Sequence, residues 1–210
     1  MTSYMLPKCL IIDARDHIMG RLASTVAKHL MMGTKIYILR CERIVMSGHI
    51  IRNKLKMKSF RGHRMNTNPR KGPFHYNQPS RMFYRVVRGM IPHKTPRGKK
   101  MMSLLHCYDG MPPRFQHIKK VRVVTAYKAL RMDPNRAMTS LGRLMVEFGW
   151  TSSKLMIKLE DKRKIKQKEV YKIQKEINKL KQQAIKSVAA KMGKEYEFLT
   201  QYEWELPVQA

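Results

Sequence analysis

The sequence predicts an α/β fold with a long helical extension at its C-terminal end. Three observations carry that prediction. A strand, helix, strand pattern fits within about 30 residues near the start, further helical periods follow it, and residues 151–194 keep a three- and four-residue apolar spacing with no proline. With 210 residues, 43% of them hydrophobic, the chain can bury one sizeable core.

Taken in order, residues 9–13 (CLIID) form a short continuous apolar run, the pattern of a strand buried on both faces. Residues 21–32 place Leu22, Ala23, Val26, Ala27, Leu30 and Met31 at helical spacing, and Gly33 stands where a helix should stop. Residues 35–41 return as a second strand, parallel to the first because a crossover helix joins them. Residues 44–46 are expected to extend the sheet, and Ser47-Gly48 to turn. Helical patterns cover 50–60, 80–88, 98–108 and 139–148, while VRVVTAY at 121–127 is β-branched enough to be a further strand. Residues 62–79 form a polar, basic loop expected to order on a partner. The apolar stripe Ile165, Ile173, Ile177, Leu180, Ala184 and Val188 predicts one long helix whose stripe is too narrow for a core. The final 16 residues hold four acids and no bases among Tyr196, Phe198, Tyr202 and Trp204, and are expected to bind a partner or fold back on the basic helix.

Charge restricts the function classes. Forty-four Lys and Arg against 14 Asp and Glu give a formal charge of +30, which calls for a polyanionic partner, nucleic acid first. Residues 43–108 contain no acid at all, yet hold 16 Lys/Arg and five histidines. A merely solvated surface mixes both signs. Three widely spaced cysteines argue against a disulfide framework and a structural zinc, and the lack of an 18-residue apolar run argues against a transmembrane helix. A reduced cytosolic or nuclear protein is expected.

His17 beside Asp13 and Asp16 near a strand end has the composition of an acid/base site, but Asp16 is better suited to capping, with Arg15 and Arg21 available to pair the acids. Dinucleotide and P-loop glycine patterns are absent. VRGMIPHKTPRG (87–98) concentrates Arg88, His93, Lys94 and Arg97 between prolines that stiffen the turn and glycines that let backbone approach a large partner. Phe74 and Tyr76 are candidates for base stacking, Phe83 and Tyr84 for the core, and the 18 methionines read as core fillers.

Five blocks in register, IDARDHIMGRLAS (12–24), Ser47-Gly48, PSRMFYRVVRGMIPHKTPRG (79–98), YDGMPP (108–113) and LGRLMVEFGW (141–150), resemble the universal large-subunit ribosomal protein family thirteen in its archaeal and eukaryotic form. The lysine-rich helix after Trp150 resembles the extension of eukaryotic cytosolic members. Arg114, where a third proline is common, and Tyr84, where many members have Trp, depart from the pattern. The resemblance implies a three-layer α/β/α core around a small, mainly parallel sheet (1–150), followed by the extension and tail (151–210). It implies a structural constituent of the large subunit that binds large-subunit rRNA, supports assembly and translation, and needs no catalytic residue, metal or cofactor, no membrane and no small-molecule substrate. The expected phosphate-facing set is Arg61, Arg64, Arg70, Lys71, Arg81, Arg85, Arg88, His93, Lys94, Arg97, Lys99 and Lys100. Neighbouring large-subunit proteins are expected partners of the 154–194 helix, and the cytosolic ribosome, after nucleolar assembly, is the expected location. A free messenger-RNA regulator and a histidine-based nuclease are the competing readings; the nuclease lacks paired carboxylates and a recognisable nucleophile-base pair.

Overall fold

The computed structural model describes residues 9–192; the acidic-aromatic stretch 195–210 lies outside the described residues. By its internal contacts the chain forms two units, dividing between Glu160 and Asp161.

In the first unit, β1 (Cys9–Asp13) leads into α1 (Met19–Met31), whose Leu22, Ala23, Val26, Ala27 and Leu30 are buried. β2 (Lys35–Leu39) then pairs parallel to β1, with Cys9 opposite Lys35 and Asp13 opposite Leu39, as the strand, helix, strand pattern requires. The strand ends two residues earlier than its sequence suggests. Arg40 adopts a left-handed conformation (φ 57°, ψ 47°) that breaks the ladder and starts a 3-10 turn at Cys41–Arg43.

β3 (Val45–Ser47) does not join the parallel sheet as expected. It pairs antiparallel with β5 (Met138–Ser140) in a separate two-stranded ribbon, Val45 opposite Ser140. Helices α2 (Ile50–Gly62), α3 (Pro79–Gly89) and α4 (Pro96–Ser103) follow, close to the expected spans. The helix foreseen to 108 stops at Ser103, because Leu105–Cys107 is drawn into the sheet as β4, parallel to β2 with Ile36 opposite Leu105. The sheet order is β1-β2-β4.

Residues 121–127 are not the strand foreseen. Val121 alone bridges Ile12, its N–H donating to the Ile11 carbonyl at 2.8 Å, after which the chain turns through the 3-10 segment Val124–Ala126 and the short helix α5 (Lys128–Arg131). The cause is a tertiary bond: the Val123 N–H donates to His17 Nε2 at 3.0 Å and diverts the backbone from β1. Similarly, α6 spans Leu141–Glu147 rather than 139–148, since Met138–Ser140 is strand and Ser140 caps the helix. α7 (Ser153–Met192) is one helix of 40 residues. Its stripe residues Ile165, Ile173, Ile177, Leu180 and Val188 are exposed.

Strand parity divides the sheet. Ile12, Ile36, Ile38 and Leu105 point into the main core with Leu22, Val26, Leu30, Phe83, Val87, Leu141 and Leu144. Each fully buried aliphatic side chain of this kind contributes about 1.5–3 kcal/mol. The alternate positions, Tyr37 and His106, face the other way and meet the 3-10 turn Pro113–Phe115. Met57, Met101, Met102 and Met145 fill the core, whereas Met31, Met32, Met65, Met90 and Met138 are exposed, so the filler role covers only part of the methionines. Among the described residues no helix is long and apolar enough to cross a membrane.

Candidate nucleic-acid interface

The acid and histidine group at the end of β1 is structural. Arg40 grips Asp13 with one edge of its guanidinium, Nε donating to Oδ1 at 2.9 Å and Nη2 to Oδ2, while Nη1 donates to Glu160 Oε1 at 3.4 Å. Of the two arginines expected to pair the acids, Arg15 pairs with Asp16, while Asp13 takes the more distant Arg40 and the Arg15 backbone N–H, which donates to it at 3.2 Å. Asp16 pairs with Arg15 at 3.2 Å and Lys128 at 2.8 Å. Burial alone would raise its carboxyl, but the Lys128 hydrogen bond and charge, with Arg15, hold it below the ordinary range. His17 is completely buried; its Nδ1 lies 2.9 Å from the Arg15 carbonyl while Nε2 accepts from Val123. That pairing requires the neutral ring with its proton on Nδ1, and burial pushes the imidazole below its usual range. Both ring nitrogens are occupied, leaving none to take a proton from a substrate.

The acid-free stretch builds a different kind of site around α3. Its first turn is anchored from outside, since Asp109 accepts from the Ser80 N–H at 2.9 Å and the Ser80 hydroxyl at 3.0 Å. Negative charge suits a helix N-terminus. Burial raises the Asp109 carboxyl despite the hydrogen bonds from Ser80 and Gln78 that favour its ionised form. With Phe83 and Val87 buried on one face, Arg81, Arg85 and Arg88 fall at spacings of four and three on another. The loop 63–78 folds beside them, enclosing a cleft of about 390 Å³ lined by Lys71, Phe74, Tyr76, Tyr84, Arg85 and Arg88 among others. Arg81 stands 5.7 Å from the Tyr76 ring and Arg85 4.8 Å from the Phe60 ring. Phe74 is 60% exposed. The cleft thus joins flat apolar rings to guanidinium and ammonium groups, the combination that takes bases and phosphates together.

The structure separates the twelve expected residues. Lys71, Arg85 and Arg88 line the cleft, with Arg81 beside Tyr76. Arg64, Arg70, Lys94, Arg97, Lys99 and Lys100 are exposed on the loop and on the turn leading through α4. Arg61 is engaged internally: Nη2 donates to Asn77 Oδ1 and, at 3.0 Å, to the Phe148 carbonyl, and the guanidinium lies 4.9 Å from the Phe148 ring. His93 likewise directs Nδ1 to the Arg88 carbonyl at 3.1 Å, fixing the turn. Gly98 does not meet a partner as its composition suggested. It is buried, and a Cβ there would lie 2.0 Å from the Pro92 carbonyl oxygen, so the close approach is to the protein's own backbone.

Sequence reading places Tyr84 against the core, where it packs, and does not foresee the cleft that its half-buried ring also lines. It also missed the cluster of Tyr37, His106, Tyr108, Arg114 and Phe115 on the other sheet face. Only the alternation of Tyr37 between Ile36 and Ile38 signalled it. At both places cations lie near a histidine. The His75 imidazole is lowered first by burial and then by Arg85, Arg61 and Arg64, partly offset by a Phe60 backbone bond, and His106 by burial and then by Lys35 and Arg114.

Residues 7–114 match the family described as Ribosomal protein L13. The chain belongs to the L13 family. It is 42% identical over 182 residues to the large ribosomal subunit protein uL13 of Spodoptera frugiperda, across 87% of this chain and 89% of that relative. The L13 match contains the whole parallel sheet, the cleft and Arg114, and the alignment to the insect protein is long enough to reach into α7.

Proposed function

We propose that this L13-family chain is a structural component of the large ribosomal subunit that binds large-subunit rRNA through α2, the 63–78 loop, α3 and the turn into α4, and thereby supports subunit assembly. The observation that carries the proposal is the cleft in which Phe74, Tyr76 and Tyr84 meet Lys71, Arg85 and Arg88 with no acid in the surrounding 66 residues. Phosphate and sugar contacts dominate such surfaces and read RNA shape more than sequence. Of the twelve expected residues, Arg64, Arg70, Lys71, Arg81, Arg85, Arg88, Lys94, Arg97, Lys99 and Lys100 supply phosphate ligands, with Arg61 and His93 holding the framework that presents them. The basic helix α7 reaches a neighbouring ribosomal protein or RNA segment, and the protein works on cytosolic ribosomes after assembly in the nucleolus.

With ~8 phosphates neutralised, log K falls against log salt with a slope of about −6 to −7, so doubling the salt weakens rRNA binding roughly 100-fold. Filter binding of the purified chain to large-subunit rRNA across a salt series measures that slope, and a near-flat dependence would refute the electrostatic reading. Sedimentation of cell extract adds the location: co-migration with large subunits through moderate salt is expected, and a free pool alone would favour a regulator acting away from the ribosome.

A further inference from the structure

On the sheet face opposite the main core, side chains from three segments converge. Tyr37 of β2 and His106 of β4 share a register position, which brings adjacent side chains within contact distance. Their rings stack with centroids 5.0 Å apart and 18° between planes. The buried Phe115 lies 5.0 Å from Tyr37, and Tyr108 lies 5.8 Å from Phe115. Over this floor the Arg114 guanidinium rests 4.5 Å from Phe115, 5.5 Å from Tyr37 and 5.6 Å from Tyr108, with Nη2 donating to the Tyr108 hydroxyl at 2.7 Å. Lys35 Nζ stands 5.4 Å from the Tyr37 ring.

Lys35 and Arg114 are both exposed, and neither has an ion-pair partner among the described residues. A guanidinium laid on aromatic rings keeps most of its N–H edge available, and in a fixed orientation. Two cations, Arg114 held on the rings and Lys35 exposed beside them, together with half-exposed flat rings repeat the composition of the α3 cleft, yet they are built from different elements on the opposite side of the sheet.

We propose that this face is a second RNA site, separate from the cleft, which takes phosphates of an unpaired strand between Lys35 and Arg114 and lays a base against the half-exposed rings of His106 and Tyr108. An acidic protein segment would satisfy the cations but leave the rings unused; an unpaired nucleotide satisfies both. The proposal rests on the RNA-binding reading for the class of its partner, and not on the cleft.

The full-length protein is tested with a short 5-bromouridine-substituted RNA strand by photocrosslinking and peptide mapping, and by salt titration. Crosslinks are expected in peptides containing Tyr37, His106 or Tyr108 as well as in the cleft. Lys35→Gln with Arg114→Gln is expected to flatten the salt slope by about 1.4, or roughly tenfold weaker binding near physiological salt, independently of Arg85→Gln with Arg88→Gln. Because Arg114 packs on Phe115, Lys35→Gln alone serves as the control for folding; it should flatten the slope by about 0.7 with an unchanged melting curve. Crosslinks confined to the cleft and α7, together with an unchanged slope for Lys35→Gln, would overturn the second site and leave the cleft intact. Crosslinks at the second face with none in the cleft would instead overturn the cleft, and absence of RNA crosslinks anywhere would overturn the RNA reading itself. Crosslinking of Lys35 in intact large subunits to an acidic protein segment and not to RNA would also overturn the second RNA site.

Discussion

Replacing Arg40 with alanine leaves Asp13 buried without its charge partner. Arg40 and Asp13 are each only about a tenth exposed, and the guanidinium makes a two-point contact with that carboxylate and a third contact with Glu160. Burial by itself would lower the Arg40 pKa, but the Asp13 hydrogen bond and the charges of Asp13 and Glu160 raise it above the ordinary arginine value. Removing one member of a buried ion pair costs about 3–5 kcal/mol. Of the groups left behind, Asp13 retains the Arg15 N–H at 3.2 Å, which favours the lower end of that range. For a body of this size about 3 kcal/mol corresponds to a fall in Tm of roughly 6–12 °C. Arg40 also holds a left-handed backbone, which glycine adopts freely at about 1–2 kcal/mol less strain. Arg40→Gly should therefore lose less stability than Arg40→Ala by about 1 kcal/mol, although it removes more side chain. Urea unfolding followed by Trp150 emission in a Trp204→Phe background measures both differences. A loss below about 1 kcal/mol for Arg40→Ala would refute the buried-pair reasoning, and equal losses for the two variants would refute the strain.

Acidification tests His17. Its folded pKa lies below the unfolded value near 6.5, so the unfolded chain binds a proton that the native ring refuses, and stability present at pH 7 is lost as pH falls below about 6.5. His75 and His106 shift in the same direction, so His17→Gln should remove part of the loss and not all of it, as read from unfolding midpoints across that range. Gly98→Ala forces its new methyl into the Pro92 carbonyl and is expected to cost about 1–3 kcal/mol by thermal melting, weakening rRNA binding through a displaced 92–100 turn. In salt titrations Lys71→Ala, Arg85→Ala and Arg88→Ala should each flatten the slope by about 0.7–0.9; Arg61→Ala should chiefly lower the melting temperature, since its guanidinium binds Asn77 and Phe148.

The parts of the fold legible in the sequence are those written in local periodicity. β1, α1, β2 and the long α7 fall close to where apolar spacing puts them because each element's burial pattern repeats within a few residues. The misplaced segments share a different cause. Leu105–Cys107 reads as the end of a helix until β2 offers a free edge, and 121–127 reads as a strand until His17 takes the Val123 N–H. Hydrogen bonds to residues far along the chain decided both.

The site divides in the same way. The acid-free basic stretch, and with it the expectation of a polyanionic partner, is determined by composition alone, because charge adds along the chain whatever its conformation. Which cations remain free to serve that partner is decided only by tertiary structure. Arg61 and the Nδ1 of His93 are turned to the protein's own carbonyls, while Lys71, Arg85 and Arg88 are gathered around aromatic rings. Tyr37, His106 and Arg114 are separated by up to 77 positions, yet the β2 and β4 register and the following turn bring them together. No local pattern encodes that meeting, because strand pairing sets it.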